Sequence, residues 1–159
     1  MNELSKNIGN PNQGCVALVH GDFCFSNILF DFRTQRIKVL DPRGLDARNQ
    51  PTIYGDMRYD VAKLYHSAVG SYDYIIAGFF NVARTSNYHI ELTLPDDARL
   101  RAIRDLFVNM KYVGSSLEDL RAHQISVLLF LSMLPLHADD PRRQFAFLAN
   151  ALRLYCALP

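Results

Sequence analysis

The feature that most constrains this chain is a short hairpin signal with chemistry-bearing residues at its ends. Residues 27–31 (Asn-Ile-Leu-Phe-Asp) read as one strand and residues 36–40 (Arg-Ile-Lys-Val-Leu) as its partner, joined by residues 32–35. Asp41 therefore sits at a strand end, fourteen positions after Asn27. Upstream, His20-Gly21-Asp22 is separated from Asn27 by the turn Phe23-Cys24-Phe25-Ser26. That turn is expected to let Asp22 and Asn27 face one cleft while the two phenylalanines anchor it to the core.

Asp22, Asn27 and Asp41 are the residue types that handling of phosphates calls for. Magnesium takes a few hard oxygen ligands and keeps several waters, so one amide oxygen, one carboxylate and substrate phosphates suffice. Phosphoryl transfer needs in addition a carboxylate beside the acceptor hydroxyl. Downstream, Tyr54-Gly55-Asp56-Met57-Arg58-Tyr59-Asp60-Val61-Ala62 forms a third block.

The three blocks in this order resemble the aminoglycoside phosphotransferase, choline kinase and fructosamine kinase superfamily, over about residues 15–69. His20-Gly21-Asp22 stands where protein kinases carry H-R-D, and Asp41-Pro42-Arg43-Gly44 where they carry D-F-G. The resemblance implies the C-terminal lobe of the kinase-like fold, mainly α with a small β-hairpin. It implies ATP or another nucleoside triphosphate and Mg2+ as cofactors, and as acceptor a small-molecule hydroxyl on a sugar, amino sugar or amino alcohol. Asp22 would be the general base, Asn27 and Asp41 the magnesium ligands, and His20 the brace of the catalytic loop. Asp60, at a helix start, would accept hydrogen bonds from the loop backbone. Arg43 replaces the aromatic of protein kinases; its guanidinium would contact a phosphate or pair with a carboxylate such as Asp46.

The nucleotide-gripping N-terminal lobe of that fold has no counterpart in residues 1–19. Residues 1–14 form a polar, turn-rich arm in which Lys6, Gly9 and Gly14 make no phosphate loop. Residues 15–159 are expected to be the lobe itself, with catalytic loop and hairpin over 15–46 and a helical bundle over 56–159. A second lobe, from a partner chain, a homo-oligomer or further sequence, would complete the site. The alternative is a catalytically silent binding or interaction module. A metal-dependent phosphohydrolase on Asp22 and Asp41 is a third reading, short of the clustered His and Asp ligands that two-metal sites use.

With 159 residues and 49% hydrophobic content, one domain with a proper core is expected. A net charge of +1 and no basic run longer than Arg142-Arg143 argue against nucleic acid. Cys15, Cys24 and Cys156 fit neither a zinc motif nor a disulfide framework, and with no apolar leader in the first residues the expected compartment is the cytoplasm. The longest apolar run, residues 127–136, is too short to span a bilayer. His66, His89, His123 and His137 are too scattered to ligate metal together.

Periodicity predicts helices beyond the motifs. Val61, Leu64, Tyr65, Ala68 and Val69 mark the first, which Gly70-Ser71 breaks before a second over residues 72–84. Residues 89–94 alternate as a strand or extended crossing. Asp96 or Asp97 caps a helix with stripe Leu100, Ile103, Phe107 and Met110 that ends near Gly114. Ser116 and Asp119 resemble a capping arrangement leading a helix to about Met133. Asp140-Pro141 opens the last, with Phe145, Leu148, Leu152 and Tyr155 as one face. Tyr72, Tyr74, Phe79 and Phe80 are read first as interior packing and second as acceptor-pocket lining.

Overall fold

The structure, a computed structural model, describes residues 16–158; the polar arm and Cys15 lie outside the described residues. In order the elements are β1 (Val16–Leu18), a 3-10 turn (Phe25–Asn27), β2 (Ile28–Asp31), β3 (Arg36–Val39), β4 (Tyr54–Asp56), α1 (Met57–Ala68) and α2 (Tyr72–Ile76). There follow β5 (Asn81–Ser86), β6 (His89–Thr93), α3 (Ala98–Asn109), α4 (Ala122–Ser132), a 3-10 turn (Pro135–His137) and α5 (Pro141–Cys156). The chain is mainly helical. Its strands form three separate antiparallel pairs, β1–β4, β2–β3 and β5–β6.

The β2–β3 hairpin stands where the sequence puts it, with Ile28 opposite Val39 and Asp31 opposite Arg36. Two further pairs were not foreseen. β1 and β4 join the approach to His20 to the start of α1, through the register Val16 to Asp56 and Leu18 to Tyr54. Asp56 then caps α1, its carboxylate accepting from the Arg58 amide, which satisfies one of the helix's orphan donors.

The core lies among the helices. α4 packs against both α1 and α5, and Phe130, Phe147, Ile75 and Leu154 are fully or almost fully buried between them. Gly70 follows α1 where nothing larger fits: a Cβ there would meet the His66 carbonyl at 2.5 Å and the Phe130 ring at 2.7 Å. Ser71 turns left-handed (φ 57°), and α2 begins after it.

Several expectations need correction. The second helix stops at Ile76 rather than residue 84, because residues 81–86 pair with β6 and Val82 and Leu92 pack against the core. α3 is capped by Asp97, whose carboxylate accepts from the Leu100 amide, but it ends at Asn109. Of its expected stripe Phe107 is buried, while Ile103 and Met110 are largely exposed. Ser116 and Asp119 do bond reciprocally, the Asp119 amide donating to Ser116 Oγ at 3.1 Å and the Ser116 amide to Asp119 Oδ2 at 2.9 Å. The left-handed Arg121 (φ 54°) delays α4 to Ala122.

α5 opens at Asp140 and Pro141 as read, with Asp140 accepting from the Arg143 amide. Its buried arc runs instead through Ala146, Phe147, Asn150, Ala151 and Leu154, leaving Leu152 and Tyr155 about half exposed. The β5–β6 hairpin explains the rotation: it packs on α5 from a side the sequence leaves open. Phe79, read as interior, is exposed. No helix among the described residues is long and apolar enough to cross a membrane.

Candidate active site

His20 is the knot of the candidate site. Its amide donates to Asp60 Oδ2 at 2.6 Å, its carbonyl accepts from the Arg43 amide at 2.8 Å, and its ring Nε2 lies 2.8 Å from the Leu40 carbonyl. The Asp22 amide donates to His20 Nδ1 at 3.3 Å, so the network assigns the ring proton to Nε2. One residue thereby ties together the loop that carries Asp22, the end of β3 and the start of α1. The Gly21 amide donates to Asp60 Oδ1 at 2.8 Å. Gly21 itself has φ +77°, and a Cβ there would stand 2.8 Å from Arg43 Cβ, so both conformation and space select glycine.

Asp22 is held from two sides. Lys63 Nζ lies 2.7 Å from its Oδ1, with the Lys63 side chain 8% exposed and that of Asp22 35%. Asn27 Nδ2 donates to the Asp22 carbonyl at 2.8 Å and to Oδ2 at 3.2 Å. This spends the amide nitrogen and leaves Asn27 Oδ1 as a free oxygen. The intervening turn is anchored by Cys24, which is buried; Phe25 is exposed and Phe23 only half-buried, contrary to the expectation for the two phenylalanines. A small thiol fits under the 3-10 turn where the backbone approaches α1 closely.

Asp41 stands just past β3 in a left-handed conformation (φ 55°). The Leu40 amide donates to the Asn27 carbonyl at 2.9 Å, continuing the β2–β3 ladder one step, so Asp41 follows directly on Asn27's cross-strand neighbour. Its carboxylate is exposed and has no hydrogen bond or ion pair among the described residues. Arg43 does not pair with Asp46, which closes its own turn by accepting from the Arg48 and Gln50 amides. The Arg43 guanidinium instead lies 5.5 Å from the centre of the Tyr59 ring.

The sequence reading missed Lys63, and with it the rule of this site. Asp60, Lys63 and Ser67 recur at helical spacing on α1 and meet the loop in order. Asp60 takes the His20 and Gly21 amides, Lys63 the Asp22 carboxylate, and Ser67 Oγ the Phe25 amide at 3.0 Å. The next support comes from α2, where Asp73 Oδ1 accepts from the Ser26 amide at 3.1 Å. The available signal was a polar stripe at positions i, i+3 and i+7 set against the apolar Val61 and Tyr65.

Charges around the loop act on their neighbours. The Tyr72 phenol is pushed up to about 12, first by burial and then by its acidic neighbours Cys24, Asp22 and Asp73. The Lys63 ammonium lies 6.0 Å from the centre of the same ring. Fully buried His66 is held well below the ordinary histidine range, first by burial and then by Lys63, and neither ring nitrogen has a partner. Among the described residues no three His, Cys, Asp or Glu side chains converge as a metal cluster. Asn27 Oδ1 and the Asp41 carboxylate are hard oxygens without a hydrogen-bond partner among the described residues.

Compared with protein-family models, curated proteins and solved structures, the chain gives no match.

Proposed function

We propose that the chain is the acceptor-side and metal-side lobe of a small-molecule phosphotransferase, of the aminoglycoside phosphotransferase and choline kinase type. The observation that carries this reading is the network that ties the loop of Asp22 and Asn27 to the end of β3 beside Asp41: Asp60 takes the His20 and Gly21 amides, Asn27 Nδ2 donates to Asp22, and the Leu40 and Arg43 amides donate to Asn27 and His20. Asp22 orients an acceptor hydroxyl and takes its proton as that oxygen attacks the terminal phosphorus of ATP or a related nucleotide, while the bond from that phosphorus to the β,γ-bridging oxygen breaks and the nucleoside diphosphate leaves. Lys63 keeps the Asp22 carboxylate in place and sets a positive charge beside the reacting oxygens. Asn27 and Asp41 would hold Mg2+, which would offset the charge that builds on the nucleotide phosphates. Arg43, over Tyr59, stands as a candidate phosphate contact.

A second reading, a silent interaction module, draws on one specific observation. Val16, Leu18, Phe32, Ile37, Ile53 and Tyr54 are all more than half exposed, on the strands β1, β3 and β4 and the turns next to β2 and β4. On the phosphotransferase reading this surface is covered by a nucleotide-gripping lobe or another chain; on the module reading it is the binding face. The two are separated by turnover. With the completed assembly, Mg2+ and ATP, phosphorylation followed by 31P NMR is expected to fall by about 10²-fold or more in Asp22→Asn. Turnover that survives this substitution removes Asp22 from the base role.

A further inference from the structure

Behind the 3-10 turn between Asp22 and Asn27 lies a cavity of about 270 Å³, bounded by the end of α1, by α2 and by the first turns of α3. Two of its wall residues carry complementary orphan atoms. Asp73 uses Oδ1 on the Ser26 amide, but its Oδ2 is shielded from solvent and accepts from nothing. Arg104 uses Nη1 on Asp96, but its Nε–H is equally shielded and donates to nothing. A buried acceptor without a donor, and a buried donor without an acceptor, are each costly on their own. Both residues line one cavity, and a guest there that donates to Asp73 and accepts from Arg104 would satisfy both atoms once the side chains turn toward it.

The hydroxyl is the side-chain-sized group that does both at once. The charge inventory of the wall points the same way. Asp73 and Asp97 are offset by Arg99 and Arg104, so the cavity has no net charge with which to recruit a polycation. Phe25, Leu100 and Ile103 supply apolar surface for a carbon skeleton, and the volume is below that of a pocket for a drug-sized ligand. Asp73 Oδ2 and Arg104 Nε make no bond of their own, and each meets a guest by a turn of its side chain about the contact that the neighbouring atom makes with Ser26 or Asp96.

We propose that this cavity binds a neutral, polyhydroxylated molecule of monosaccharide size, with Asp73 accepting from its hydroxyls and Arg104 donating to them. Its use as the phosphoryl acceptor rests on the phosphotransferase reading above; its binding does not. The cavity wall is continuous with the loop that carries Asp22, through Phe25 and through the Ser26 to Asp73 bond.

Saturation-transfer NMR on the full chain tests this with D-glucose, D-mannose, N-acetyl-D-glucosamine and myo-inositol as neutral probes and kanamycin as a polycationic one. At least one neutral probe is expected to receive saturation. Its dissociation constant should rise about tenfold or more in Asp73→Asn and in Arg104→Gln, each checked for folding by its thermal melt. Asp41→Ala should leave sugar binding unchanged while removing any Mg2+–ATP binding, so loss of the nucleotide reading and loss of the cavity reading give different patterns. The proposal is overturned if no neutral probe binds, if kanamycin alone binds, or if both cavity variants bind the sugar as the natural chain does.

Discussion

The helical half and the strand-bearing half of this protein are held together by different physics. Around α4, stability comes from apolar burial: Phe130 and Phe147 are fully enclosed, and even polar Asn150 is inside, donating to the Gly70 carbonyl at 2.6 Å. Around β1 to β4, Phe32 is 81% exposed and Ile37 68%, and the architecture depends on polar ties to His20 and Asp60. The comparison teaches that the candidate site is rigid by hydrogen bonding rather than by packing. Its apolar surface is therefore left available for something else.

The sharpest way to break that contrast is a core truncation. Phe130→Ala should cost about 3–5 kcal/mol in a denaturant melt, because the cavity is walled by helices that cannot close on it. A loss near zero would mean that the helical core is not the stabilising half. Asp60→Ala should cost less, about 2–3 kcal/mol, by orphaning the His20 and Gly21 amides that its carboxylate now satisfies. Hydrogen exchange should locate the damage at residues 20–27, with amides in α4 and α5 unchanged in rank.

Acid should also weaken the helical half first. His66 is held below its ordinary value of 6.5 in the folded chain, so the unfolded chain binds that proton more readily. The His66 contribution is complete above pH 6.5 and falls as pH drops below it, by at most about 1.4 kcal/mol per pH unit for this one group. His123 and His137, lowered mainly by burial, add in the same direction. His66→Leu should flatten the pH dependence of the melt below 6.5; an unchanged slope would assign it to other groups. The smallest effect is expected at the exposed face, where Ile37→Thr should alter stability by no more than about 0.5 kcal/mol. A larger loss would mean that this surface is already covered, and light scattering would show by how many copies.

How much of this was legible in the sequence follows the same division. The β2–β3 hairpin could be read because a strand pair held by its own ladder carries its signal locally, and Asp140-Pro141 marked α5 because capping is local too. Residues 81–86 could not be read, since their strand exists through pairing with β6 and packing on α5. The true face of α5 was hidden for the same reason. At the site, Asp22, Asn27 and Asp41 were visible as a spaced motif. Lys63 was not, because a lysine in a helix ordinarily points to water and only the folded loop supplies the carboxylate that lets it stay buried. Ser67 and Asp73 likewise look unremarkable until the loop backbone lies across them.

The measurement that bears most directly on the central claim is isothermal titration of the chain with Mg2+ and ATP, repeated with Asp41→Ala. Asp41 is exposed and unengaged among the described residues, so its substitution breaks no side-chain bond there and removes one proposed metal oxygen, with a thermal melt as the check on the left-handed turn it occupies. The account predicts a Mg2+-dependent heat of binding that disappears in the variant. Equal heats in both proteins, or no heat with either, would contradict a phosphotransferase site built on Asn27 and Asp41.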